Sequence, residues 1–392
     1  MCRRHDNRMN RALVALVAAS VAMLPCAAPA QIANVTLYGD LNLDLEFVGG
    51  KQPDGNNPTV VRVSSNSSRF GVRGNEYLGA GQVAIFQLES QVQANTGGGT
   101  LASRETFVGL QGDWGTLKAG NFLTPYDDIL PIFGDTPTLT TSIFSTAAIW
   151  AQGPLSKLQG GFDARLGNSI RYETLPLDGF SAEVQYATRS STSDDADPAI
   201  VANSGDHLSG LRHADVISMA AFYSKGPLDL GVAYEENNKV RYPSANDYAL
   251  SLAAGYDFGT LDNGLGLRIA GVYERLKYDT FTGDLKRDFW GVSATVPAGG
   301  GSFYLFWGKA GNGTGSALDG TQVGGLTKGP DSAAEQWEIS YSYSLSLRTL
   351  LYAGYVQVRN GANAAYSFNI NPYSTVQGAR LPGLVFGIAH FF

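Results

Sequence analysis

Few residues of this 392-residue chain could make or break bonds. Beyond the first 30 residues the histidines are His207, His213 and His390, and no two have the spacing of metal ligands. No histidine stands beside a nucleophile motif. Both cysteines, Cys2 and Cys26, lie within the first 30 residues. Gly311-Asn312-Gly313-Thr314-Gly315 resembles a phosphate loop only superficially, because no Lys-Thr pair and no helix follow it; a surface loop is the better reading. Acid pairs at Asp127/Asp128 and Asp194/Asp195 could bind Ca²⁺, but such pairs are ordinarily solvated loop charges. Catalysis and cofactor chemistry are therefore not expected. What the polar residues can do is hold fixed charge. Arg69 and Arg73 share one face of an extended segment with Gly71, while Phe70 and Val72 take the other. Arg104 has the parity of Thr106 and Val108, and Arg165 lies just before a later strand. Cations ranked along one wall can orient and filter solutes. Solvated arginines at loop ends are the alternative, above all at Arg165.

The elements that would hold these charges read as strands throughout. In Val35–Phe47, Leu37, Gly39, Leu41, Leu43, Leu45 and Phe47 alternate with Thr36, Tyr38, Asp40, Asn42, Asp44 and Glu46. The same period of two recurs in 180–189 and 228–235. Short connections fall near Tyr77–Gly81, Gln111–Thr116, Pro176–Gly179, Lys225–Pro227, Phe258–Gly264, Pro297–Gly301 and Ser344–Leu347. Long ones fall near 50–58, 95–101, 123–165, 191–212, 238–246, 279–285, 311–332 and 361–378. Seven short turns alternating with eight long loops imply sixteen strands. An even strand number with short turns at one end and long loops at the other is the pattern of an all-β, 16-stranded antiparallel transmembrane barrel. Closure also removes the unpaired edges that an open sheet would carry.

Composition agrees. Only 16% of residues are charged and 48 are glycine, which argues against a coiled coil or a disordered chain. Outside the N-terminus no apolar run reaches the length of a membrane helix. The N-terminus itself reads as a cleaved secretory leader. Arg3, Arg4, Arg8 and Arg11 precede the apolar stretch Ala12–Leu24, and Ala28-Pro29-Ala30 supplies small residues for cleavage after Ala30. Pro25 argues against a lipoprotein at Cys26. The expected division is a signal peptide at 1–30 and one barrel domain at 31–392. Removing the leader takes four arginines and Asp6 from totals of 28 basic and 35 acidic residues, leaving a net charge of −10. A nucleic-acid partner is not expected of such a chain.

Alternation alone does not say which face meets water. Three features favour lipid on the apolar face. Strands of about ten residues can span a bilayer when tilted. Tyr38, Tyr77, Trp114, Phe122, Tyr172, Phe180, Phe258, Trp290 and Trp307 lie toward strand ends, where interfacial aromatic girdles sit. Finally, Leu384, Phe386, Ile388, His390 and Phe392 alternate to the last residue, so the last strand is expected to pair with the first. On this basis Arg69 and Arg73 should face the lumen, since an arginine in mid-bilayer costs roughly 2–4 kcal/mol.

These stretches resemble the Gram-negative general porin family. The matching segments include Val35-Thr36-Leu37-Tyr38-Gly39, Ser68 through Glu76, Ala84 through Glu89, Arg104 through Leu110, Trp114-Gly115-Thr116-Leu117, Tyr126-Asp127-Asp128, Asn168 through Tyr172, and Gly387 through Phe392. The resemblance is dense in the N-terminal half and sparse in the C-terminal half. It implies a water-filled outer-membrane channel for passive diffusion of small hydrophilic solutes and ions, assembled as a homotrimer. The implied partners are outer-membrane lipid, lipopolysaccharide and the barrel-assembly machinery, which would read Phe392. The resemblance also makes 123–165 a third loop folded inward as a constriction. Its apolar residues, among them Ile129, Leu130, Ile132, Phe133 and Trp150, fit such packing. By the same resemblance Arg69, Arg104 and Arg165 match the family's arginine ladder, with Arg73 beside them, and Asp128 matches an opposing acid. Two positions depart from the pattern: Asp40 stands where a basic residue is common, and Ile132 where a second acid is common. Three arginines against Asp40 and Asp128 lean toward anion preference. Glu105 has outward parity and is expected at a subunit contact or the membrane rim. The competing readings are a solute-specific channel, with Tyr126 and Trp150 as an aromatic track, and a soluble exported β-protein.

Overall fold

The computed structural model describes residues 34–134, 142–155, 158–190, 213–242, 244–260 and 266–392. The leader, Asp135 of the third loop, and the acid pair Asp194/Asp195 lie outside these residues. Among those described, sixteen strands close into one antiparallel barrel. They are β1 (Asn34–Gly49), β2 in two pieces (Thr59–Ser65 and Arg69–Gly79), β3 (Gln82–Val92) and β4 (Thr106–Gly112, preceded by the short piece Gly99–Thr100). Then follow β5 (Gly115–Leu123), β6 (Arg165–Glu173), β7 (Phe180–Ser190), β8 (His213–Lys225), β9 (Leu228–Asn238) and β10 (Asn246–Asp257). The last six are β11 (Arg268–Thr280), β12 (Gly283–Ala298), β13 (Gly301–Ala310), β14 (Ala334–Ser346), β15 (Thr349–Asn360) and β16 (Arg380–Phe391).

Each strand pairs with the next, and β16 closes on β1 from Asp40↔Phe391 to Val48↔Gly383. Closure continues to the final residue. The Gly39 N–H donates to Phe392 O at 3.0 Å, and the Phe392 N–H returns to Gly39 O at 3.1 Å. The Phe392 ring lies over Gly39, where any Cβ would come within 2.2 Å of it. Glycine at this position is thus a packing requirement of the closing strand.

The distribution of buried residues fixes the two faces. Along β1, Asp40, Asn42, Asp44 and Glu46 are buried while Leu41, Leu45 and Phe47 are exposed; Glu46 is 0% accessible and Phe47 40%. On β7, Phe180, Val184 and Tyr186 are exposed and Gln185 is buried. On β9, Leu230 and Val232 are exposed and Glu235 is buried. A protein with water outside would show the reverse, so the apolar parity is the lipid face. Of the expected girdle, Tyr77, Trp114, Phe180, Trp290 and Trp307 are exposed. Phe122 is instead fully buried, and the Tyr38 hydroxyl donates to Glu89, so neither belongs to the girdle.

Two connections differ from the sequence reading. The long loop expected near 279–285 is a tight turn, because β11 and β12 stay paired as far as Thr280↔Gly283 with only Phe281 and Thr282 between them. The second strand is broken at residues 66–68, where Ser67 adopts φ 54°. The break turns the Ser68 hydroxyl to the Asn42 backbone, which bridges β1 where its partner strand is interrupted.

Candidate functional site

The buried parity of β1–β6 carries the ionic groups. Arg69 lies opposite Asp40 in the β1–β2 register. Its Nη1 is 3.2 Å from Asp40 Oδ2, and its Nε is 3.7 Å from Glu89 Oε2. Arg104 Nε donates to Glu89 Oε1 at 2.7 Å. The Tyr38 hydroxyl donates to Glu89 Oε2 at 2.9 Å. Glu89, an inward residue of β3, is thus the acid shared by both arginines. Arg165, the first residue of β6, donates from Nε to Glu105 Oε1 at 3.1 Å, and the Leu123 N–H reaches the same oxygen at 3.1 Å. Glu105 is therefore a local holder of Arg165. Its expected outward position does not hold, because the chain leaves strand geometry between Thr100 and Thr106 and parity no longer counts there.

A cavity of about 490 Å³ brings Arg69, Arg104, Arg165 and Asp40 together with Asp127 and Asp163. The remaining two expected residues stand elsewhere. Arg73 has the face of Arg69 but lies nearer the short-turn end, its guanidinium 5.1 Å from the Tyr38 ring centre. Asp128 does not line the cavity; it is ion-paired to Arg171. Arg171 was not singled out by the sequence reading, although it lies in the quoted segment Asn168 through Tyr172. It is buried, donates to Leu123 O at 3.1 Å and also pairs with Glu173 and Glu183. The signal was available in parity: Ser169 and Arg171 alternate with the exposed Ile170. Asp163 was likewise missed. Its Oδ2 accepts from Asn369 Nδ2 at 2.7 Å, a contact between residues 206 apart that no local pattern carries.

Electrostatics around the cavity are mutual. Burial, then the neighbouring Asp163 and Asp128, push the Asp127 carboxyl well above its ordinary range, with Arg165 opposing. Burial and the nearby positive charge of Arg165 lower the Arg104 guanidinium, with Glu89 opposing. Asp127 therefore holds its proton to higher pH than an ordinary aspartate.

The connection between β5 and β6, residues 124–164, is positioned by the buried parity of β8–β14. The Tyr126 N–H donates to Ser218 Oγ at 3.1 Å and its hydroxyl to Glu274 Oε1 at 2.5 Å. Trp150 Nε1 donates to Ser251 Oγ at 3.3 Å. Tyr304 Oη donates to Phe133 O at 2.8 Å, Arg268 Nη2 to Ile132 O at 3.0 Å, and Gln336 Nε2 to Phe144 O at 3.2 Å. Arg287 donates to Ile149 O and Trp150 O and is ion-paired to Glu274, with both side chains fully buried. Around these anchors Tyr126 stacks on Trp150 at 5.3 Å, and Phe133 meets both Trp150 and Phe306. Gly231 leaves the space that Ile129 and Ile132 fill; a Cβ there would stand 2.6 Å from Ile132 Cδ1. Tyr126 and Trp150 are 0% accessible, so they cannot serve as an aromatic track for a solute.

The other motifs are accounted for locally. In the glycine-rich segment the N–H of Gly311 goes to Asp288 O, that of Gly313 to Ser332 Oγ and that of Thr314 to Lys286 O. These donors are engaged by carbonyls of β12 and by Ser332 and do not form a phosphate cradle. His390 Nδ1 lies 2.9 Å from Thr349 Oγ1, a cross-strand contact on the lipid face. His207 lies outside the described residues.

A closed antiparallel barrel with an apolar exterior and an ionic interior defines an outer-membrane channel. The model of the Gram-negative porin family matches residues 12–363, and the chain belongs to that family. It is 27% identical over 354 residues to outer membrane porin protein 32 of Delftia acidovorans, covering 88% of this chain and 89% of that one. The anion-selective porin from Comamonas acidovorans superposes with a TM-score of 0.70 at 25% identity, covering 92% of this chain and all of that one. OmpT of Vibrio cholerae in its trimer form shares the fold, with a TM-score of 0.63 at 15% identity over 92% of this chain and all of that one. The protein is thus an outer-membrane porin, a channel for passive diffusion of small hydrophilic solutes and ions.

Proposed function

We infer that the described residues of the β5–β6 connection, 124–134, 142–155 and 158–164, lie in the lumen and narrow it, and that the narrowest passage runs between Arg69, Arg104 and Arg165 on the wall and Asp127 and Asp163 on the loop. The observation that carries this reading is the single cavity lined by all five groups. Opposed fixed charges across a narrow opening make a transverse field, which orients dipolar solutes and biases ions by sign. Asp40, Glu89, Glu105 and Asp163 answer the three arginines, so the fixed charges nearly cancel, and the anion preference assigned here rests on the similarity to a relative. The anion-selective relative from Comamonas supports that sign.

The same reading assigns Arg73 and Asp128 supporting places beside the opening, residues 1–30 to a cleaved leader, and 31–392 to one barrel domain. The assembly is a homotrimer, in keeping with the trimeric relative. Phe392 acts as the end signal for the barrel-assembly machinery, and lipopolysaccharide surrounds the outer rim. The chain has no catalytic role.

The deciding experiment is single-channel recording in a planar bilayer under a salt gradient. Ohmic steps that close in thirds at high voltage, with a reversal potential on the anion side, support a trimeric, weakly anion-preferring pore. Folded protein that gives no steps would overturn the open passage, and a cation-side reversal would overturn the assigned anion preference.

A further inference from the structure

Two acids on the inner wall are completely buried, and they are answered differently. Glu274 of β11 meets Arg287 and the Tyr126 hydroxyl. Glu235 of β9 is also 0% accessible, yet among the described residues it makes no ion pair, and neither of its carboxylate oxygens has a hydrogen-bond partner. The side chains of Thr124, Ser218 and Asn237 stand around it, and the charge it meets is that of Asp163, which has the same sign. The donors beside it, the Thr124 hydroxyl and Asn237 Nδ2, are themselves unbonded, so its neighbours do not satisfy it. A buried carboxylate without a counter-charge is strongly disfavoured.

Register explains why these groups meet. Gln185 of β7 lies opposite Ser218 of β8, and Ser218 lies opposite Glu235, so three inward polar residues form one row across adjacent strands. Asn237 is two residues on from Glu235 and shares its face. Thr124 is the first residue of the β5–β6 connection, and the Tyr126 N–H, donated to Ser218 Oγ, holds that connection against the row. Gln185 Nε2 donates to Ser169 Oγ at 3.1 Å, which leaves Oε1 without a partner. Gln185 Oε1, Thr124 Oγ1, Asn237 Oδ1 and the two oxygens of Glu235 are thus all buried and unbonded. A proton on Glu235 would supply a single donor to this set. A cation draws on the lone pairs of the whole set, and hard cations take carboxylate, amide and hydroxyl oxygens. Its charge is that of one carboxylate. Among the described residues no three side chains of Asp, Glu, His or Cys converge as a divalent ion would require.

We propose that Glu235, Gln185, Asn237 and Thr124 form a binding site for a hard monovalent cation, Na⁺, between the barrel wall and the root of the connection. Asp163 lines the open cavity and its charge reaches Glu235, which gives a cation in the lumen an acidic way in. The bound ion ties β7–β9 to the point where the chain leaves β5. Its consequence for the opening rests on the reading that the connection narrows the lumen; the binding itself does not.

The test uses the full-length folded protein in a non-ionic detergent, with NaCl exchanged stepwise for choline chloride at constant ionic strength. Choline is too large for such a site. The wild-type unfolding midpoint should rise with Na⁺, by about 2 °C for each tenfold once the site fills. Sodium-23 relaxation should be faster with wild type than with E235Q. E235Q keeps the shape of the side chain and removes its charge, so its midpoint should be equal in the two salts. Q185M removes one oxygen and should need roughly tenfold more Na⁺ for the same rise; it takes the place of E235Q where that variant gives no folded form. Equal wild-type midpoints in the two salts, or a Na⁺ response unchanged in the variants, would overturn the proposal. So would a rise at micromolar Ca²⁺ with none in Na⁺, which would make the ion divalent. None of these readouts uses current, so loss of the cation site and loss of the open passage are separate outcomes.

Discussion

The inner wall of this barrel has two halves built on different terms. From β1 to β6 the buried parity carries arginines and acids that answer one another across strands and line an open cavity. From β9 to β13 many of the inward positions are small or apolar, Gly231 and Ala233, Ala249 and Ala253, Ala270 and Val272, Tyr304 and Phe306 among them, and the polar ones between them, such as Ser251, Glu274 and Arg287, hold the connection. A barrel wall facing water should be polar. The second half departs from that rule because it faces protein, being covered by Ile129, Ile132, Phe133, Phe144 and Trp150 of the β5–β6 connection. On the reading proposed above, the first half would govern which ions pass and the second how much room they have. Within the covered half, the Arg287–Glu274 pair is completely buried and is stabilised by loop carbonyls and the Tyr126 hydroxyl as well as by its partner.

The largest effect should come from that pair. R287Q leaves Glu274 buried without its cation, and breaking a buried pair is worth about 3–5 kcal/mol. The variant should lose heat resistance of the folded form in electrophoresis, and single-channel conductance should rise as the connection loosens. Unchanged conductance would mean that the covered half does not set the width.

G231V is next. Overpacking typically costs about 1–3 kcal/mol. The new methyls would meet Ile129 and Ile132, so conductance should again rise while ion preference stays at its wild-type value. A shifted preference would erase the division between the halves.

In the charged half, R104Q should move the reversal potential toward cations without changing conductance appreciably. It frees Glu89, which then stands against Arg69 alone, so the shift should exceed that of R73Q, whose guanidinium lies over Tyr38 outside the cavity.

The smallest effect is a pH dependence. The raised Asp127 carboxyl is neutral at pH values where an ordinary aspartate is charged. Raising the pH through its folded value adds a negative charge among the arginines, so the reversal potential should drift toward cations as the pH rises. The drift should vanish in D127N. For the same reason this group favours the folded state less as pH rises, since the folded form holds the proton that the unfolded chain releases near pH 4.

How far the sequence reading reached depended on the range of each interaction. Strand parity is local, and it placed Arg69 on the inner wall and Leu41, Leu45 and Phe47 on the outer one. It failed where local geometry changed: at Glu105, which lies in a non-strand connection, and at 279–285, where polar composition suggested a loop but the pairing of β11 with β12 continued. The choice between Asp127 and Asp128 was also out of reach, because their carboxyls diverge in a single helical turn, one toward the cavity and one toward Arg171.

By itself the sequence determined the sixteen-stranded antiparallel class, the lipid face and the apolar character of the long connection, since a period of two and the placement of turns are properties of neighbouring residues. Tertiary structure alone decided which acid meets which arginine. Glu89 with Arg104, Asp163 with Asn369 and Glu274 with Arg287 are contacts made only when the barrel has closed and the connection has settled on its far wall. Charge pairing is set by distance in space, and in a closed barrel that distance is fixed by register around the whole ring.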